Sequence, residues 1–340
     1  MSLLRASSIL AIAAAAALAQ RTSNYPAIGQ IVRSDPAFTR LVPEGARIEV
    51  LATGFAWAEG PVWVKNGGFL LFSDIPRNSV MKWTLQDGAT VFLKPSGFTG
   101  IVDYGHEPGS NGLTIDAQGR LISCEHGDRR VSRLEIDGGK RTLADNYQGK
   151  RLNSPNDVIV KSDGSIWFTD PSFGIDSFYE GEKQEPELPQ NVYRVDGQTG
   201  DVTMVCDEVI GPNGLAFSPD ESVLYIVESR SKPRTIRAFD VAGDGRSLTN
   251  NRVLIDAQQG TPDGFRVDTH GNLWCGWGMG TDELDGVRVF SPQGEALGHI
   301  ALPERCANVC FGGRHRNRLF MAASHGLYSL YVNTQGVRGG

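Results

Sequence analysis

Apolar and polar residues alternate in short runs along almost the whole chain, and polar, glycine-rich turns punctuate the runs. The stretch NDVIVKSDGSIWFTDP, residues 156–171, shows the unit: a polar head, an apolar alternation, a tight turn, and a second apolar alternation. The same unit recurs as EGPVWVKNGGFLLFSD from Glu59, NGLTIDAQGRLISCEH from Asn111, NGLAFSPDESVLYIVES from Asn213, DGFRVDTHGNLWCGWG from Asp263 and NVCFGGRHRNRLFMAAS from Asn308. Successive heads lie 52, 45, 57, 50 and 45 residues apart. A third strand often follows, as in NVYRVD (191–196), TIRAFDV (235–241) and GVRVFS (286–291), and VTMVCD (202–207) reads as a fourth. Repeats of about 40–50 residues with three or four strands each are the mark of propeller blades. Helical periodicity is nearly absent outside the N-terminus, so a parallel α/β sheet, which needs helices between its strands, is excluded. The pattern predicts an all-β chain folded as a six-bladed β-propeller. Closing the ring needs one more strand in the last blade, and ARIEVLAT (46–53) is the candidate partner for GLYSLYV (326–332).

That architecture gives the heads a meaning. The first strand of each blade lines the central channel, so Glu59, Asn111, Asn156, Asn213, Asp263 and Asn308 should converge at one end of it. Two carboxylates among four amides make an oxygen-donor set, which suits a hard divalent cation; the lack of Cys and His argues against structural zinc. Asn-Gly and Asp-Gly are also turn dipeptides, so any single head has a plainer explanation. Glu59, in AEGP, does not. Glu59, Asn213 and Asp263 are therefore the expected metal ligands, while Asn308 lies in a repeat whose apolar phase is one residue off. Acids stand at the ends of the second strands, Asp74, Glu125, Asp170 and Glu228, placed either to orient the heads or to cap strand ends. His126 and His325 follow strands of the same class and are candidate proton carriers at the channel mouth.

Composition narrows the partners. The chain has 340 residues, a formal charge of −6, 41 glycines and 17 prolines. It has no basic stripe, which argues against nucleic acid. MSLLR followed by ASSILAIAAAAALA reads as a secretory signal over residues 1–19, with an extension over 20–45 and a single propeller domain over 46–335. The expected location is periplasmic or secreted. The apolar run is too short for a comfortable membrane span. Five cysteines, none in a CxxC pair, name no disulfide. No GxSxG elbow occurs, which disfavours a serine nucleophile.

The motifs AEGPVW, SPNDVIVKSDGSIWFTDP, PNGLAFSPDESVLYIVES and PDGFRVDTHGNLW resemble the senescence-marker-protein (regucalcin), gluconolactonase and luciferin-regenerating-enzyme family over about residues 47–333. The resemblance implies a six-bladed propeller with one divalent cation in the channel, held by Glu59, Asn213 and Asp263. Asn156 beside it would contact substrate or complete the coordination. Calcium is the expected ion, with magnesium, manganese or zinc as alternatives. The implied substrate is a small-molecule lactone, such as glucono-1,5-lactone, and the protein a monomer or homodimer. In the implied reaction the cation polarises the carbonyl and a carboxylate activates water: Asp263, or alternatively Glu59. Asn156, Asn111, His126 and Asp170 are assigned to the substrate side. The regucalcin branch has an arginine two residues before the Asn156 position, where this chain has Ser154, so its sugar contacts do not transfer. Another lactone or a phosphotriester, or a non-catalytic binding propeller, are the competing functions.

Overall fold

The computed structural model describes residues 24–337. Six antiparallel sheets follow one another in chain order, each entered by its head and running outward. Blade 1 holds the strands Ala58–Val64, Phe69–Asp74, Ser79–Thr84 and Gly88–Leu93; blades 2, 3 and 4 begin at Ser110–Ile115, Val158–Val160 and Pro212–Phe217. Blade 5 begins at Thr261–Val267 and blade 6 at Cys306–Gly312. These six first strands pack side by side around a closed ring, blade 6 against blade 1.

The ring closes as the pattern requires. Glu49–Thr53 joins blade 6 as its outermost strand, with Glu49 opposite Ser329 and Thr53 opposite Gly326. The strand Val202–Cys206 completes blade 3. The segment before residue 46 does more than the sequence pattern suggests. Gln30–Arg33 pairs with Ala296–Ala301 as a fifth strand of blade 5. A short helix, Pro36–Leu41, follows it, started by Pro36 and by Asp35, whose carboxylate accepts the Ala37 N–H at 2.6 Å. Its Phe38 is fully buried against Gly298, where a Cβ would sit 2.2 Å from the ring. One turn of helix is too short for periodicity to reveal. The signal-like segment, residues 1–19, lies outside the described residues.

The core is not one mass. It divides into six apolar clusters, one at each interface between neighbouring blades. Trp83, Trp167 and Trp274, from blades 1, 3 and 5, are among its largest fully buried side chains. Each large apolar side chain removed from water contributes roughly 1.5–3 kcal/mol, so the face-to-face packing of blades holds the ring. All five cysteines are free and buried, spread over these clusters as small apolar groups.

Candidate active site at the channel mouth

The residue after each head explains the repeated glycine. A Cβ on Gly60 would stand 2.2 Å from the Asn111 carbonyl oxygen, and one on Gly112 2.6 Å from that of Asn156. Gly214 likewise abuts Asp263, and Gly264 abuts the Asn308 amide. Each glycine lets one first strand touch the next, which draws the heads inward around the axis. A β-bulge interrupts the pairing at the head in blades 1, 2, 4, 5 and 6. Bulges turn side chains out of the ladder and are common beside active sites. The one in blade 6, between Cys306 and Asn308, accounts for the shifted apolar phase there.

All six heads are buried. Asn308 Nδ2 donates to Glu59 Oε2 at 3.1 Å, and the Gly60 N–H meets the same carboxylate. Asp263 receives Asn213 and the guanidinium of Arg305. Burial pushes the Glu59 carboxyl well above its ordinary range, and the negative charges of Asp263 and Asp157 push it further. Burial also raises Asp263, but Arg305 and Asn213 counteract this. Asn111 lies with its Nδ2 3.3 Å from His126 Nε2. His126 is buried, its Nδ1 has no partner among the described residues, and burial lowers its pKa to about 4, so it is neutral near pH 7. Asn156 lies in the loop before Val158–Val160, and its backbone carbonyl takes the Gly112 N–H at 2.8 Å.

The second-strand acids share one job in three blades. Asp74 accepts the Ala56 and Trp57 N–H groups at 3.0 and 3.2 Å, Asp170 accepts that of Asn153 at 2.8 Å, and Glu228 accepts that of Ile210 at 3.2 Å. Each holds the backbone two or three residues ahead of its head. Asp170 thus supports the loop that carries Asn156; its Oδ1 is unpartnered, and burial raises its pKa to about 7. Glu125 instead takes Arg130 and Lys140. His325 lies to one side, its Nδ1 2.9 Å from the Phe55 carbonyl.

Several charged neighbours escape a reading of the heads alone. Asp157 is buried next to Asn156 and pairs with buried Arg266 of blade 5 at 3.4 Å. Its sequence signal is a departure from the pattern: Asp stands where Gly60, Gly112, Gly214 and Gly264 stand in other repeats. Arg266 is likewise a charge inside an apolar strand. Arg305 and the loop acids Glu107 and Glu180 carry no such signal, because loops bring them in. The insertion over 172–190 forms the short helix Phe173–Asp176 and then crosses to the loop over 97–109.

Among the described residues, no three His, Cys, Asp or Glu side chains gather as a metal cluster. The converging set is two carboxylates and amides instead. A six-bladed propeller with that set at one end of its channel defines a class of proteins with a mouth-centred, oxygen-lined site. The chain belongs to the SMP-30/gluconolactonase/LRE-like family, whose model matches residues 57–325. It is 34% identical to a gluconolactonase of Zymomonas mobilis over 96% of this chain and 92% of that one. The structure of a gluconolactonase from Xanthomonas campestris superimposes with a TM-score of 0.79 at 35% identity, covering 90% of this chain and 97% of that one. A regucalcin of Danio rerio is 26% identical over 78% of this chain and 82% of its own length.

Proposed function

We propose that the channel mouth hydrolyses the ring ester of a sugar lactone with the help of one divalent cation. The observation that carries this reading is the burial of two carboxylates, Glu59 and Asp263, together with the amide heads Asn111, Asn156, Asn213 and Asn308. The gluconolactonase relatives support the substrate class.

The residues fit a hard cation. Their donors are oxygens, and of the three buried carboxylates Asp157 is paired with Arg266 and Asp263 with Arg305, while Glu59 has amide and backbone donors, so the set carries more negative than positive charge. Glu59, Asn213 and Asp263 would hold it, with Asn156 beside them. Bound there, the ion would polarise the lactone carbonyl and stabilise the oxyanion formed on attack. Asp263 takes the proton of the attacking water, with Glu59 the alternative base; a carboxylate raised above its ordinary range is better matched to that task near neutral pH. Asn213 and Arg305 keep Asp263 oriented. His126, neutral and buried, holds the Asn111 amide rather than carrying a proton. Calcium is the proposed ion. Export through residues 1–19 is proposed from the sequence, and N-terminal sequencing of secreted protein checks it.

The test is hydrolysis of glucono-1,5-lactone by metal-stripped protein with Ca²⁺, Mg²⁺, Mn²⁺ or Zn²⁺ restored, beside Asp263→Ala. Turnover that returns with a cation and falls by about 10²-fold or more in the variant supports the reading. Cation binding without lactone turnover moves the assignment to another ester, such as a phosphotriester.

A further inference from the structure

Arg305 spends little of its hydrogen-bonding capacity inside the protein. Among the described residues, one terminal nitrogen meets Asp263, the other meets the Met279 sulfur, a weak acceptor, and the buried Nε has no acceptor. The side chain is nonetheless held in place. The Trp57 ring lies 5.4 Å from the guanidinium carbon, and the Arg305 carbonyl accepts the Ser324 N–H at 3.0 Å. Gly278 leaves the passage open, since a Cβ there would come 2.7 Å from Arg305 Cγ. An arginine built in this way beside a buried carboxylate, with donors to spare, suits a ligand rich in oxygen acceptors.

Two loops from different blades bring acids to the same place. The His106 N–H donates to the Tyr179 carbonyl at 2.9 Å and the Glu107 N–H to the Glu180 carbonyl at 2.7 Å. This clip sets Glu107 and Glu180 beside each other, and both carboxyls feel the charges of Arg305 and Asp263. The Arg230 guanidinium, 4.8 Å from the Phe173 ring centroid and paired with Asp176, pins the far side of the insertion to blade 4.

We propose that Arg305, Glu107 and Glu180 form a recognition collar for the hydroxyl groups of a polyhydroxylated lactone, an inference that rests on the lactonase reading above. Arg305 donates hydrogen bonds to hydroxyl oxygens, and the two carboxyls accept hydrogen bonds from hydroxyl groups. An alkyl lactone of the same ring size offers neither, and leaves the collar unpaired. A site built to hydrogen-bond hydroxyls rejects the analogue lacking them far more strongly than an apolar pocket discriminates.

The experiment compares kcat/KM for glucono-1,5-lactone and δ-valerolactone, which share the six-membered ring, in wild type, Glu107→Gln, Glu180→Gln and Arg305→Lys. Wild type should prefer the hydroxylated lactone. Each variant should lower that ratio by about tenfold or more, the loss of roughly one hydrogen bond to a charged group. A merely structural role lowers both rates by one factor and leaves the ratio, which overturns the collar. Glu107→Gln, nearly isosteric and on a loop, keeps the test open if Arg305→Lys does not fold. Wild type that turns over both lactones equally also overturns the collar while the lactonase reading stands. Turnover of neither overturns that reading, and the collar with it.

Discussion

Asn308 donates to Glu59 across 249 residues of chain, at 3.1 Å, on the seam where the last blade meets the first. The other end of the same amide accepts the Val309 N–H at 2.8 Å. Asn308→Leu leaves the buried Glu59 carboxyl with the Gly60 N–H as its remaining neutral donor. The expected cost is about 1–3 kcal/mol of unfolding free energy. Urea titration followed by tryptophan fluorescence measures it, and an unchanged midpoint would show that the seam bond is idle.

Burial and two neighbouring negative charges strain the ionised form of Glu59. Glu59→Gln removes that strain, so the metal-stripped variant should melt at or above the wild-type temperature. The same change should abolish the stabilisation that a cation confers. For wild type that stabilisation is about 2.7 kcal/mol at a hundredfold excess over Kd. Thermal melts with and without Ca²⁺ check both signs at once, and a variant that is less stable in chelator contradicts the account of Glu59.

The head glycines are constrained by their neighbours rather than by turns alone. Gly112→Ala puts a methyl 2.6 Å from the Asn156 carbonyl oxygen and 2.7 Å from Asp157 Cα, both backbone atoms that cannot move aside. It should cost about 3 kcal/mol, the upper end for an overpacked core. Gly243→Ala, which meets nothing within 4 Å, serves as the control and should be neutral or stabilising by about 0.4–1 kcal/mol. Equal effects in the two variants would rule out close blade approach as the reason for the glycine.

The clip between the 97–109 loop and the 172–190 segment should loosen as pH rises. Burial pushes the Glu107 carboxyl up to about 8, from an ordinary 4.5, and Glu180 up to about 7. A carboxyl raised in the folded state contributes stability that is complete below its ordinary value and lost as pH climbs through the raised one. Between about 4.5 and about 8, then, Glu107 can ionise in the opened loop but stays protonated beside Glu180 in the closed clip, so opening is increasingly favoured. Limited proteolysis or hydrogen exchange within 172–190 should increase across that window, with the intrinsic pH dependence subtracted. Glu107→Gln should flatten the rise; an unaltered profile in the variant assigns it elsewhere.

Much of this protein is legible along the chain because its architecture repeats. A period-2 alternation followed by a glycine turn specifies a hairpin locally, and six such units at similar spacing leave a propeller as the way to bury all their apolar faces. Position in the repeat then marks Glu59, Asn111, Asn156, Asn213, Asp263 and Asn308 as neighbours, and the structure buries all six. The acids Asp74, Asp170 and Glu228 were visible too, but not their work, since a hydrogen bond to backbone three residues ahead of a head depends on how the strand ends curl. Asp157 and Arg266 broke the pattern where they stand, yet only folding shows that blade 5 reaches blade 3 to pair them.

What the sequence determined by itself was the fold, the closure by Glu49–Thr53 and the ring of heads, because each follows from short-range alternation repeated in register. Tertiary structure alone decided the rest. The strand Gln30–Arg33 added to blade 5, the Arg305 guanidinium on Asp263, and the meeting of Glu107 with Glu180 join segments with no shared period. Their proximity is set by how blades and loops pack, and that information lies in no local stretch of the chain.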